Sequence, residues 1–105
     1  MSYEGLEERV IEVCMGWGLY DDKNASDKTR FDKLLEEVEE LREAIFEKKD
    51  LNQIMMEAGD VQVTLINILK PYGLTSERCL NAAYYKIKDR NGKMVNGSYV
   101  KEEDL

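Results

Sequence analysis

Apolar residues recur at helical spacing through four stretches of the chain, and polar or glycine-containing segments separate them. Leu6, Val10, Val13, Cys14 and Trp17 predict a first helix over residues 2–17, which Gly16 and Gly18 bring to an end. Residues 19–29 are polar and read as a loop, with Ser26 or Asp27 able to cap the second helix. Phe31, Leu34, Leu35, Val38, Leu41 and Ile45 form one stripe of that helix over residues 27–48, and Lys48 and Lys49 suit its C-terminus. Asp50 can cap a third helix that runs to residue 70, where Pro71 and Gly73 stop it. This helix is apolar beyond one stripe, so it is expected to pack both inside the bundle and against another subunit. A fourth helix over residues 75–89 turns Cys79, Leu80, Ala83, Tyr84 and Ile87 inward and ends at Asn91-Gly92. In residues 93–101, Asn96-Gly97 sits between two short β-prone runs and predicts a two-residue hairpin. Such a hairpin is marginal alone and needs the helices or a neighbour. Residues 101–104, a lysine followed by three acids, read as a frayed end.

The expected fold is therefore all-α: a bundle of four helices with antiparallel central helices and a small C-terminal β-hairpin. At 105 residues it makes one domain, with residues 27–90 as its functional core. Hydrophobic residues make up 43 % of the chain, enough for a core, but so small a domain leaves much surface open and favours a homodimer or homotetramer. A net charge of −7 counts against binding a nucleic acid polymer, while a divalent cation can still bring a phosphate to an acidic site. There is no histidine, which excludes histidine acid–base chemistry and histidine zinc sites. Cys14 and Cys79 match no metal spacing and read as small buried residues in a reducing compartment. No stretch is suited to a membrane span or a signal peptide, so the expected location is cytoplasmic.

Placing side chains about 100° apart separates the acids of the second helix. Lys33, Glu37 and Glu40 fall on one flank of the apolar stripe, whereas Glu36, Glu39 and Glu43 lie toward solvent. The third helix repeats the arrangement, with Gln53, Glu57, Asp60 and Thr64 on the equivalent flank. A short connection makes the two helices antiparallel neighbours, so the pairs Glu37/Glu40 and Glu57/Asp60 can face one another. Four carboxylates held together repel and tend to take up protons; a divalent cation removes the conflict. Oxygen ligands alone point to Mg2+ or Mn2+. A Glu-rich helix is also the ordinary signature of a solvated face, and Lys33 or a lysine of the fourth helix can neutralise Asp60, so periodicity alone leaves both readings open.

Glu37-x-x-Glu40, a sixteen-residue interval and Glu57-x-x-Asp60 together resemble the signature of the MazG-type all-α nucleotide pyrophosphohydrolases. The runs Leu34-Leu35-Glu36-Glu37-Val38-Glu39-Glu40-Leu41 and Glu57-Ala58-Gly59-Asp60-Val61 carry it, and it spans residues 31–90. The resemblance implies Mg2+-dependent hydrolysis of a nucleoside triphosphate to the monophosphate and pyrophosphate, in helical dimers or tetramers. It assigns metal binding and catalysis to Glu37, Glu40, Glu57 and Asp60. It further suggests phosphate contacts from the polar or basic Asn81, Lys86, Lys88 and Arg90, and Lys33, beside the acids, is a further candidate to bind substrate. Gly59 reads as a point of close packing.

Trp17 is a candidate to stack on a nucleobase, or else a core or interface residue. Of the adjacent Tyr84 and Tyr85, one is expected to face the core and the other an interface or ligand. A dUTP or phosphoribosyl-ATP hydrolase is a variant of the enzyme reading; a non-catalytic acidic helical module that recognises a basic partner is the contrasting one.

Overall fold

The computed structural model describes residues 2–105. Its helices are α1 (Tyr3–Gly16), α2 (Asp27–Glu43), α3 (Leu51–Leu69) and α4 (Ser76–Ile87), followed by strands β1 (Gly92–Val95) and β2 (Ser98–Lys101). Each helix begins on a side-chain cap. Ser2 accepts from Gly5, Asp50 from Asn52 and Thr75 from Arg78, and each satisfies a backbone donor that the helix itself leaves unpaired. Of the two candidates for α2, Ser26 takes the role: its side chain accepts from the Thr29 backbone while the Thr29 hydroxyl accepts from the Ser26 backbone.

The helix expected over residues 27–48 is not uniform. Its last turn, Ala44–Lys48, widens to π geometry, and Lys49 closes it in the left-handed region at φ 54° with its N–H on Ala44 O. This single left-handed residue turns the chain back, and α3 returns antiparallel along α2. At the other end of α3, Pro71 sits in a 3-10 turn (Lys70–Tyr72) that Gly73 closes at φ 72°. The hairpin forms where predicted: Asn96 and Gly97 take φ 50° and 85°, and Val95 pairs with Ser98. At Gly92 a Cβ would collide with the Val100 carbonyl and the Tyr99 ring, so glycine lets the strands approach. Residues 101–104, expected to fray, are ordered instead: Lys101 ends β2 and residues 102–104 form a short 3-10 turn.

α1 and α4 are joined through a buried carboxylate. Glu7, 4 % exposed, accepts from the backbone N–H groups of Ser76 and Glu77, at the N-terminus of α4, and Tyr3 shares a hydrogen bond with the Ser76 hydroxyl. Cys14 is buried and unbridged as expected, alongside Ala44 and Ile66 in the small core.

Several apolar positions expected inside lie open in the single chain. On α2, Phe31, Leu35 and Val38 are exposed, as are Met55 and Met56 on α3. Leu80, Tyr84 and Ile87, expected to face inward, are more than half exposed, and so is Tyr85. The reason is geometric: α4 docks chiefly through its N-terminal end, so its later turns have no helix to cover them. Gly59 likewise has nothing within 4 Å of the place a Cβ would occupy, against the close packing expected there. The radius of gyration is 16.6 Å, well above the about 13 Å of a compact chain of this length.

Candidate metal and nucleotide site

Glu37 and Glu40 stand one turn apart on α2, and the antiparallel return of α3 sets Glu57 across from them. One carboxylate oxygen from each of the three lies within 4.8 Å of the other two. Glu37 is buried, Glu57 half-buried and Glu40 exposed, so the group opens from the helix interface to solvent. Glu37 Oε2 and Glu57 Oε2 are both buried without a hydrogen-bond partner. An anionic oxygen withdrawn from water costs free energy unless something positive replaces the lost hydration. Among the described residues one fixed cation reaches the group: Lys33 Nζ lies 3.2 Å from Glu37 Oε1 and 3.3 Å from Glu36 Oε1. The neighbouring negative charge of Glu37, followed by desolvation and Glu57, holds the Glu40 carboxyl above the ordinary range, while Lys33 is raised by its bonds to Glu37 and Glu36. Hard oxygen ligands with two unsatisfied acceptors fit a hard divalent cation such as Mg2+ or Mn2+.

The outward acids behave as the helical wheel indicates. Glu36 and Glu39 are exposed and Glu43 is half-exposed; Glu39 binds Arg42 through both carboxylate oxygens. Asp60 is also exposed. It stands outside the three-carboxylate group and lines a groove between α1 and α3 with Glu7, Met56 and Val63.

Of the residues suggested for substrate contacts, Lys33 lies against the acids. Trp17 is 72 % exposed at the end of α1. Asn81 lines a surface groove on α4 with Arg78, Leu80 and Tyr84. Lys86 and Arg90 line a different groove, beside Lys101 and Glu102 of the hairpin end. Lys88 lies over the Tyr85 ring, 4.7 Å from its centroid. Lys86, Lys88 and Arg90 thus lie against groups other than the carboxylates within one chain.

Two buried polar residues beside the site escaped the sequence reading. Arg30 is held by Leu19 O and Asp27, and Asn67 accepts a 2.5 Å hydrogen bond from Tyr20. Their spacing carries a faint signal, since Arg30 is seven residues before Glu37 and Asn67 seven after Asp60, the same faces two turns on.

The helical hairpin sets Glu57 across from Glu37 and Glu40, a grouping of oxygen ligands that suits a hard cation between helices. The profile of the MazG nucleotide pyrophosphohydrolase domain matches residues 25–95, and the chain belongs to that family. Neither the comparison with curated proteins nor that with solved structures returned a match. Among the described residues, no helix is long and apolar enough to cross a membrane.

Proposed function

We propose that this protein is a cytoplasmic, Mg2+-dependent nucleoside triphosphate pyrophosphohydrolase. The observation that carries the reading is the pair of buried, unpartnered oxygens on Glu37 and Glu57 inside a three-carboxylate group, in a chain of this family. Glu37, Glu40 and Glu57 would hold the cation; Asp60, to which the resemblance also assigns metal binding, lies one turn beyond Glu57 and outside the group in the single chain; Mn2+ has the same ligand preference. When bound, the cation neutralises phosphate oxygens and makes water a better nucleophile. In the reaction a water oxygen bonds to the α-phosphorus and gives up a proton to solvent, the P–O bond between the α-phosphorus and the α,β-bridging oxygen breaks with its electron pair going to pyrophosphate, and the nucleoside monophosphate and pyrophosphate separate. Lys33 places a positive charge at the rim of the acids, where the departing pyrophosphate gains from it.

The working form is a homodimer or homotetramer. Support comes from the open apolar stripe of Phe31, Leu35 and Val38, from Met55 and Met56, and from the extended shape of the single chain. A second copy is also the means by which Trp17, Asn81, Lys86 or Arg90 would reach a bound nucleotide.

The test is to incubate the protein with each ribo- and deoxynucleoside triphosphate and Mg2+ and to resolve the products. Monophosphate with equimolar pyrophosphate, lost in Glu37→Gln and in EDTA, is expected. Diphosphate with orthophosphate, or no turnover of any nucleotide, would sink the proposal.

A further inference from the structure

Lys33 stands between two acids of different character. Its Nζ lies 3.2 Å from Glu37 Oε1 and 3.3 Å from Glu36 Oε1. Glu37 belongs to the carboxylate group, and its side chain is 9 % exposed; Glu36 lies outside the group on the solvent side of α2, 58 % exposed. Spacings of three and four residues put both carboxylates over one stretch of helix surface, so a single lysine reaches either. The lysine side chain is itself 53 % exposed. It lines a cavity of about 210 Å³ between α2, α3 and residues Leu19 and Ala25 of the preceding loop. Open space on two sides leaves its ammonium group free to change partners.

An ordinary ion pair on a helix has two solvated partners and contributes little. The pair with Glu37 differs, because this carboxylate is buried and compensated on one oxygen alone: Oε1 meets Lys33, while Oε2 has no hydrogen-bond partner. A carboxylate withdrawn from water needs both oxygens satisfied. Charge balance points the same way. Glu37, Glu40 and Glu57 bring three carboxylates together, and among the described residues Lys33 is the one cation in an ion pair with any of them. Lys33 thus occupies one side of a place that suits a cation of higher charge. Glu36 gives its ammonium somewhere to remain when Glu37 is given up, since that pairing uses no oxygen of the group.

We propose that Lys33 is a built-in rival of the divalent cation for Glu37, released to the phosphates of the nucleotide, so that metal and nucleotide bind cooperatively. The inference rests on the reading of the carboxylates as a metal site. Toward a cation that arrives alone, Lys33 holds Glu37 and can only retreat to Glu36, which leaves two like charges close together. Toward a cation that arrives with a polyphosphate, Lys33 leaves Glu37 for phosphate oxygens, which accept from its ammonium group as a carboxylate does. The ion pair lost in the first case is exchanged in the second. One side chain thereby couples the two ligands, and linkage makes the effect reciprocal: each improves the affinity for the other by the same factor.

Calorimetric titration of the full chain tests this with two probes: Mg2+ alone, and Mg2+ premixed with inorganic tripolyphosphate, which carries neither base nor sugar. Lys33→Met keeps an apolar stem and removes the charge; Lys33→Gln is the second variant, and circular dichroism establishes that each is folded. Either should bind Mg2+ alone about three- to tenfold more tightly than the wild type, and the tripolyphosphate complex at least about threefold more weakly. Arg42→Met removes the same charge from the same helix, but Arg42 pairs with Glu39 and Glu47. It should shift either affinity by less than about twofold. Thermal unfolding supplies a second readout: Lys33→Met should melt below the wild type in EDTA and gain more than the wild type from Mg2+. Mg2+ affinity that is unchanged or weakened in both Lys33 variants overturns the proposal and makes Lys33 a simple ion-pair or phosphate partner. Tighter Mg2+ binding with no loss toward the tripolyphosphate complex overturns the coupling, and equal shifts in Arg42→Met reduce the effect to net charge. A wild type that binds neither Mg2+ nor Mn2+ refutes the reading of the acids themselves, and this inference with it.

Discussion

Replacing Glu57 by glutamine removes one charge from the carboxylate group while keeping its shape. At 4.8 Å, the separation that bounds the group, two unit charges repel by about 3.5 kcal/mol at an effective dielectric of about 20 and by about 0.9 kcal/mol in water. Glu37 is buried and Glu57 half-buried, so the interaction of this pair falls between those limits. Without metal, Glu57→Gln should therefore stabilise the protein by about 1–2 kcal/mol, and more if the new amide donates to the unpartnered oxygen of Glu37. For a chain of this size that raises Tm by about 4 °C or more. Added Mg2+ should act in the opposite order. At a hundredfold excess over Kd it stabilises the wild type by about 2.7 kcal/mol, and the variant by much less because a ligand is gone. The assay is thermal unfolding followed by circular dichroism in EDTA, Mg2+ and Mn2+, at one fixed protein concentration. If Glu57→Gln melts lower than the wild type in EDTA, and neither cation moves the wild type, the acids are structural partners and the repulsion argument is wrong.

Other parts of the molecule carry three further expectations. Glu40 is held above its ordinary value of 4.5, chiefly by Glu37; its contribution is present when it is protonated and is lost as pH rises through its folded value. Asp27, lowered by its hydrogen bonds from Tyr72 and Arg30, and Glu39, lowered by Arg42, contribute in the opposite sense and lose their share as pH falls through their depressed values. The metal-free protein should thus become more stable on mild acidification from neutrality and then less stable below about pH 4; a monotonic fall in Tm from pH 7 downward would contradict this. Glu7→Ala leaves the N–H groups of Ser76 and Glu77 without their buried acceptor, and chemical denaturation should report a loss of about 1–3 kcal/mol. Leu35→Glu places a charge in the open stripe of α2 and should shift the protein toward monomer in light scattering; an unchanged mass would move the interface elsewhere.

The central hairpin of helices was legible because its signals are local. The α2 stripe, the acids three residues apart, the Asp50 cap and the Asn96-Gly97 turn each declare themselves within a few residues. The π-turn was not legible, because Ile45 and Phe46 prolong the apolar pattern and nothing in their identity distinguishes a wide turn from a regular one. Periodicity placed Glu37, Glu40 and Glu57 on facing flanks. It also placed Asp60 with them, since a wheel gives direction but not how far a side chain stands from its partners, and Asp60 lies beside the α1 groove. Long-range links were invisible for a simpler reason. The bonds from Tyr20 to Asn67 and from Ser76 to Glu7 join residues separated by 47 and 69 positions, and one sequence carries no record of such pairs. Exposure of the α2 and α4 stripes has the same origin: the pattern shows that a face must be covered, not whether the same chain covers it.

The link between Glu7 and the start of α4 also bears on the order in which the chain folds. α2 and α3 are neighbours in sequence, and bringing them together closes a short loop. Glu7 meets α4 only after a separation of 69 positions is drawn in, a far larger loss of chain entropy. The carboxylate hairpin should therefore be assembled at the rate-limiting step, with the chain ends docking afterwards. In stopped-flow kinetics Glu7→Ala would then speed unfolding and leave the folding rate almost unchanged; a slowed folding rate would place the joint in the nucleus. On this ordering the terminal helices act as a latch: the acids meet before it shuts, and its strength sets how long they stay together.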